Sequence, residues 1–159
     1  MSVRSFAYFT TMNRMLLCIA FSLLVAVGNC SPFNDCGSKT GTPTSVKVTD
    51  CPDDADECVL KRGTTAGIEV DFTAGAATKT LKTSVHGIIA NVPMPFPLPE
   101  PDACKTGVTC PVTKGSTYIY KNNLAIRQIY PALEVTVRWE LKDDSGADMV
   151  CVEIPCRLE

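Results

Sequence analysis

Apolar and polar side chains alternate without a break through residues 133–142, Leu133, Val135, Val137, Trp139 and Leu141 on one side and Glu134, Thr136, Arg138, Glu140 and Lys142 on the other. A period of two sends one row of side chains into a core and the other to water, which is the pattern of a half-buried β-strand. Residues 68–73 repeat it, and residues 45–49, 81–92, 116–121 and 150–158 read as further strands. Turn formers separate them: Gly63, Ala74-Gly75-Ala76, Lys114-Gly115, Asn122-Asn123 and Asp143-Asp144-Ser145-Gly146. No segment carries a helical period. Six or seven antiparallel strands in one small domain predict an all-β, immunoglobulin-like two-sheet β-sandwich.

One segment breaks the strand grammar. Val92-Pro93-Met94-Pro95-Phe96-Pro97-Leu98-Pro99-Glu100-Pro101 alternates proline with mostly apolar residues. Proline fixes its own φ and keeps the preceding residue extended, so Val92, Met94, Phe96 and Leu98 are displayed on a stiff backbone. As an ordinary core strand the run is out of place, because its prolines cannot complete a hydrogen-bonded ladder. Placed at a sheet edge, it can wall or gate a cavity between two sheets and hold Met94 and Phe96 toward a ligand.

The N-terminus sets the compartment. Arg14 precedes an apolar run from Met15 to Val27, and Ala26 and Gly28 supply the small residues of a secretory cleavage site. Residues 1–28 are expected to be a signal peptide and residues 29–159 one mature domain, with cleavage after Cys30 as the alternative. The apolar run falls short of the roughly 20 residues that a membrane span needs. A polyproline ligand for SH3 or WW domains is excluded by the same export signal, because those readers are cytosolic. Arg4 and Arg14 leave with the signal, taking the formal net charge from −2 to −4 with no basic cluster. Nucleic acid and anionic membrane surfaces are therefore not expected partners.

Of nine cysteines, Cys18 lies in the signal, leaving the even set Cys30, Cys36, Cys51, Cys58, Cys104, Cys110, Cys151 and Cys156. Complete pairing is open to such a set, and Cys51 with Cys58 and Cys104 with Cys110 would close short local loops. With one histidine and no CxxC pair, no metal site is expected, and no cofactor. His86, the sole histidine, has no carboxylate near it in sequence and sits inside a strand pattern, so a structural role is expected and catalysis is not. Residues 50–58 are acidic but lack the ligand order of an EF-hand and read as a disulfide-closed loop. Asn29-Cys30-Ser31 matches a glycosylation acceptor but falls on the cleavage site.

Taken together, Asp35-Cys36-Gly37-Ser38, the loop from Cys51 to Cys58 followed by Lys61-Arg62-Gly63, His86-Gly87-Ile88, the proline run into Asp102, Cys104 to Cys110-Pro111, Tyr130-Pro131, Trp139-Glu140-Leu141 and Cys151 resemble the Niemann-Pick type C2 family of ML lipid-recognition domains. The likeness runs from Asp35 to Ile154. It implies a sandwich whose sheets part around a lipid, with disulfides Cys36–Cys151, Cys51–Cys58 and Cys104–Cys110. It also maps a ligand pocket onto Phe96, Ile126 and Tyr130, with Met94, Leu124, Trp139 and Phe72 beside them. Cys30 and Cys156 depart from the three-bridge pattern. If Cys36 faces Cys151, six residues back and five forward bring them near each other as a fourth bridge, but the unequal steps would require a kink at Pro155.

The expectation is a binding protein and not an enzyme: a monomeric secreted carrier of a sterol or long-chain fatty acid. It would exchange that lipid with a donor or acceptor membrane or a lipid-transfer protein. The extracellular space is the expected destination, with the lysosomal lumen as the second. A reading of a different class is an immune recognition module that presents microbial lipid or glycolipid to a receptor.

Overall fold

The structure, a computed structural model, describes residues 32–159. The expected signal peptide 1–28, Cys18, the Asn29 acceptor and Cys30 lie outside the described residues. Nine strands follow in chain order: β1 (Asn34–Asp35), β2 (Gly41–Val48), β3 (Cys58–Leu60), β4 (Thr64–Ala74), β5 (Lys82–Ile89), β6 (Val92–Pro95), β7 (Thr117–Ile126), β8 (Glu134–Lys142) and β9 (Asp148–Leu158). A 3₁₀ turn, Ala103–Lys105, is capped by the Asp102 carboxylate, which accepts from Cys104 N–H at 3.0 Å.

The strands form two sheets, β2-β4-β7 and β1-β9-β8-β5-β6, with β3 added alongside β9. The fold is the two-sheet sandwich that the alternation predicts. Two details differ. The β3–β9 pair is parallel, Cys58 opposite Cys156 and Leu60 opposite Leu158, and this three-residue strand is too short for its period to register in sequence. The expected single strand 81–92 is instead a hairpin: Ala90 and Asn91 take positive φ values of 49° and 64°, the conformation of a tight two-residue turn, and β6 then returns along β5.

That return explains the alternation of proline. Phe96 N–H donates to Val85 O at 2.8 Å, so the N–H groups two and four residues earlier also face β5. Pro93 and Pro95, the intervening residues, place their missing donors on the open side of the edge strand, where a ladder loses nothing. The same parity sets Met94, opposite Gly87, on the inner side of the sheet.

Cys36–Cys151, Cys51–Cys58 and Cys104–Cys110 are bonded, the set implied by the family resemblance. Cys156 is a free, buried thiol. It shares the inner face of β9 with Ile154 and Leu158, whereas Cys151 lies on the opposite row.

The β8–β9 turn is tied to the 78–80 segment by Asp144. Its carboxylate accepts from Lys79 N–H at 2.7 Å, from Thr80 N–H at 3.1 Å and from the Thr80 hydroxyl. These bonds, the Thr80 hydroxyl foremost, hold its pKa at about 2 against an ordinary 3.8. A depressed folded pKa contributes stability above the unfolded value, and that contribution disappears as pH falls from about 4 through about 2. In acid titrations followed by circular dichroism, Asp144→Asn should flatten the wild-type loss of stability in this window. The two stability curves should run parallel above about pH 5.

Candidate functional site

At the end of the sandwich nearest the β8–β9 turn the sheets meet tightly. Val46, Val70, Phe72, Leu81, Tyr120, Leu141, Met149 and Val150 are fully buried there. Toward the other end the inner faces separate. Val48, Ala66, Ile68 and Leu124 of one sheet face Leu60, Val137, Trp139, Ile154 and Cys156 of the other across an apolar cavity. About 20 Å³ of it is open to the centre of a water molecule. Such a space holds one water and is far below the volume of a lipid, so a larger occupant must part the sheets.

Beside this cavity is an apolar mouth. The Phe96 ring lies over Gly87, where a Cβ would collide with its edge and would stand 3.2 Å from Val135 Cγ2. Glycine is thus required at position 87 for close approach, and any side chain would displace the ring. Tyr130, from the segment between β7 and β8, meets Phe96 edge-to-face with centroids 5.4 Å apart. Aromatic pairs of this geometry contribute roughly 0.5–1.5 kcal/mol beyond burial. Arg62 holds the segment from behind, Nη1 donating to Tyr130 O at 3.1 Å. Met94 and Val92 stand on the edge strand, 52% and 56% exposed, in line with Phe96.

The residues nominated from sequence therefore fall into three places. Leu124 and Trp139 line the cavity, Phe96 and Tyr130 form the mouth, and Met94 flanks it. Ile126, 2% exposed, packs in the core at the end of β7, and Phe72 lies in the tightly closed part, stacked on Tyr118 at 5.7 Å. Sequence reasoning did not assign Val48, Leu60, Ala66, Ile68, Val137, Ile154 or Cys156 to the pocket, Cys156 having been considered only as a disulfide partner of Cys30. All but Leu60 and Ala66 belong to alternating strands that it had read, so their inward direction was legible. Which stretch of the inner face stays open was not. Ala66, too small to fill the gap opposite Val137 and Trp139, is part of the answer.

The cavity wall carries little charge chemistry. Burial, with the Glu57 carboxylate adding to it, pushes the Cys156 thiol up to about 12, so it remains protonated and poorly nucleophilic. His86 sits on the outer face of the larger sheet. The fold supplies the carboxylate absent from its sequence neighbourhood: Nδ1 is 3.3 Å from Glu140 Oε2, and Glu140 continues to Lys142 and Asp148. This chain of partly solvated polar contacts lies across the sheet from the cavity. Among the described residues, no group of three or more His, Cys, Asp or Glu side chains is placed to hold a metal ion.

A two-sheet sandwich with an apolar seam between its sheets and an aromatic pair at one sheet edge belongs to a known class of domain. The ML domain model matches residues 30–158, and the chain belongs to that family. It is 43% identical over 142 residues to NPC intracellular cholesterol transporter 2 homolog a of Drosophila melanogaster, spanning 89% of this chain and 96% of that protein. Identity to NPC intracellular cholesterol transporter 2 of Mus musculus is 39% over 137 residues, spanning 85% and 91%. The crystal structure of a Niemann-Pick type C2 protein from the Japanese carpenter ant superposes with a TM-score of 0.76 at 28% identity, over 80% of this chain and 99% of that one. These relatives set the chain in the Niemann-Pick type C2 group of the ML family.

Proposed function

We propose that the protein is a secreted carrier that encloses a sterol or long-chain fatty acid between its two sheets and delivers it to a membrane or an acceptor protein. The observation that carries this reading is the apolar cavity between the sheets, set beside a mouth of Phe96, Tyr130 and Met94. Two relatives named as cholesterol transporters support the ligand class. The charged and apolar layout of residues 1–28 supports export.

The chemistry is binding without bond making. About a dozen methylenes taken out of water contribute roughly 10 kcal/mol gross, so affinity needs few polar contacts even after the cost of association. Pocket shape then selects the ligand. Parting the sheets costs packing, and the cross-links bound that cost by keeping the sandwich assembled around its guest.

Trp139 is the single tryptophan of the chain and lines the cavity, so its emission reports occupancy directly. Titration with a fluorescent sterol or fatty acid should give saturable energy transfer at one ligand per chain. Absence of transfer with every sterol and fatty acid tried would refute the proposal.

Arg62 is a positioning residue in this scheme. Arg62→Ala frees the Tyr130 carbonyl and loosens the mouth, at a stability cost of about 1–2 kcal/mol for the lost charged hydrogen bond. Stopped-flow release should be several-fold faster than in wild type, with the equilibrium stoichiometry unchanged.

A further inference from the structure

A lipid must part the sheets, and the ties that hold them together are unequal on the two flanks of the sandwich. On one flank β2 of the smaller sheet runs beside β9 and β3 of the larger, and it is fastened at both ends. Before its start, Lys39 N–H and Thr40 N–H donate to Asp148 O at 2.7 and 3.2 Å, and Gly41 lies so near β9 that a Cβ would stand 2.6 Å from Met149 O. Just past its end, Cys51 is bonded to Cys58, the first residue of β3, with Cα atoms 5.0 Å apart.

This bridge sits at the cavity. Val48, at the end of β2, and Leu60, in β3, are wall residues on opposite sheets. Seven peptide steps separate the two cysteines, enough for an unbridged chain to span about 23 Å. The bond removes that freedom.

On the other flank β7 faces β5 through hydrogen bonds alone. Thr83 Oγ1 of β5 donates to Tyr120 Oη at 2.9 Å, Asn122 Nδ2 donates to Glu100 O at 3.1 Å and Lys121 N–H donates to Thr106 O at 2.9 Å. Past Asn122 these ties stop. Among the described residues, no hydrogen bond, ion pair or disulfide joins residues 123–126 to the larger sheet, although Leu124 is part of the cavity wall. The chain then takes the segment 127–133 to cross to β8, whereas the crossing from β3 to β4 is made by residues 61–63 alone.

We propose that Cys51–Cys58 is the fixed edge of the lipid cavity, and that the sheets part by swinging the free end of β7, residues 123–126, away from the larger sheet. Hydrogen bonds broken on opening are exchanged for bonds to water at small net cost, whereas the disulfide does not yield, so the unequal ties give the opening its direction. The width of the guest is taken up at Leu124 and not at Val48 and Leu60. The inference rests on the reading that the inter-sheet space takes a lipid.

The test is double electron–electron resonance on protein carrying nitroxide side chains introduced by codon suppression, which spares the native cysteines. One pair spans the free flank, Ala125 of β7 and Ala90 of the β5–β6 turn, and the other spans the fixed flank, Lys47 of β2 and Val59 of β3; all of these positions are exposed. Saturation with cholesterol, and separately with palmitic acid, should lengthen the Ala125–Ala90 distance by about 4 Å, one layer of carbon at contact separation. The Lys47–Val59 distance should not change. In Cys51→Ser/Cys58→Ser it should lengthen on binding as well.

Equal lengthening at both pairs in lipid-loaded protein with its bridges intact, or none at the free flank, would overturn the inference and leave lipid carriage standing. That readout does not depend on a cysteine variant folding. A fixed Lys47–Val59 distance in folded, lipid-loaded Cys51→Ser/Cys58→Ser would overturn it too. Failure of the unlabelled protein to retain either cholesterol or palmitic acid would instead defeat the lipid reading and this inference with it.

Discussion

Phe96→Asp should lower lipid uptake by about a hundredfold or more while leaving the sandwich folded. The ring is half-buried, packed over Gly87 and edge-on to Tyr130 at the edge of the larger sheet. A carboxylate there remains hydrated in the empty protein but must be desolvated against the lipid when one enters. Losing the aromatic contact and part of the buried area costs about 1–2 kcal/mol of stability, which a domain of this size can bear. Phe96→Leu, which stays apolar, should retain most binding. The check is sterol and fatty-acid titration of both variants beside their urea unfolding curves. Full binding by a folded Phe96→Asp would remove the mouth from this location.

The second large effect is on stability. Cys36–Cys151 spans 115 residues and joins the segment before β2 to the last strand. In the chain-entropy model a loop of that length contributes about 4–5 kcal/mol, against about 2–2.5 for the seven-residue span of Cys51–Cys58. Replacing Cys36 and Cys151 together by serine should therefore lower the melting temperature by roughly 15 °C, more than removal of either short bridge. Differential scanning calorimetry of the three double variants gives the order directly. The consequence reaches binding, because a cavity leaves core packing unmade and the long cross-link offsets part of that deficit.

Much of the architecture was legible because it rests on period. Residues 133–142 and 150–158 became β8 and β9 with bounds within about two residues, which is the usual uncertainty at element ends. The proline run was readable as an edge element from its missing donors alone, and the hairpin parity shows why the prolines are spaced by two. Less visible was the turn at Ala90-Asn91, since it lacks the glycine that adopts positive φ without steric cost. β3 escaped because three residues that begin where a disulfide loop closes carry no period.

For the site, direction was legible and depth was not. Alternation places Phe72 and Trp139 on inner faces alike, yet one is sealed against Tyr118 and the other borders open space. That distinction depends on how side chains from two sheets add up across the gap, and Ala66 and Leu60 enter only once both sheets are assembled.

The central claim is that the space between the sheets holds a lipid. Purifying the protein after expression in cells, extracting it with organic solvent and identifying the extract by mass spectrometry tests that claim most directly. The expected result is a sterol or long-chain fatty acid approaching one molecule per chain, displaced when a competing sterol is added before extraction. A lipid-free extract from protein that also emerges empty after incubation with excess sterol and fatty acid would contradict it.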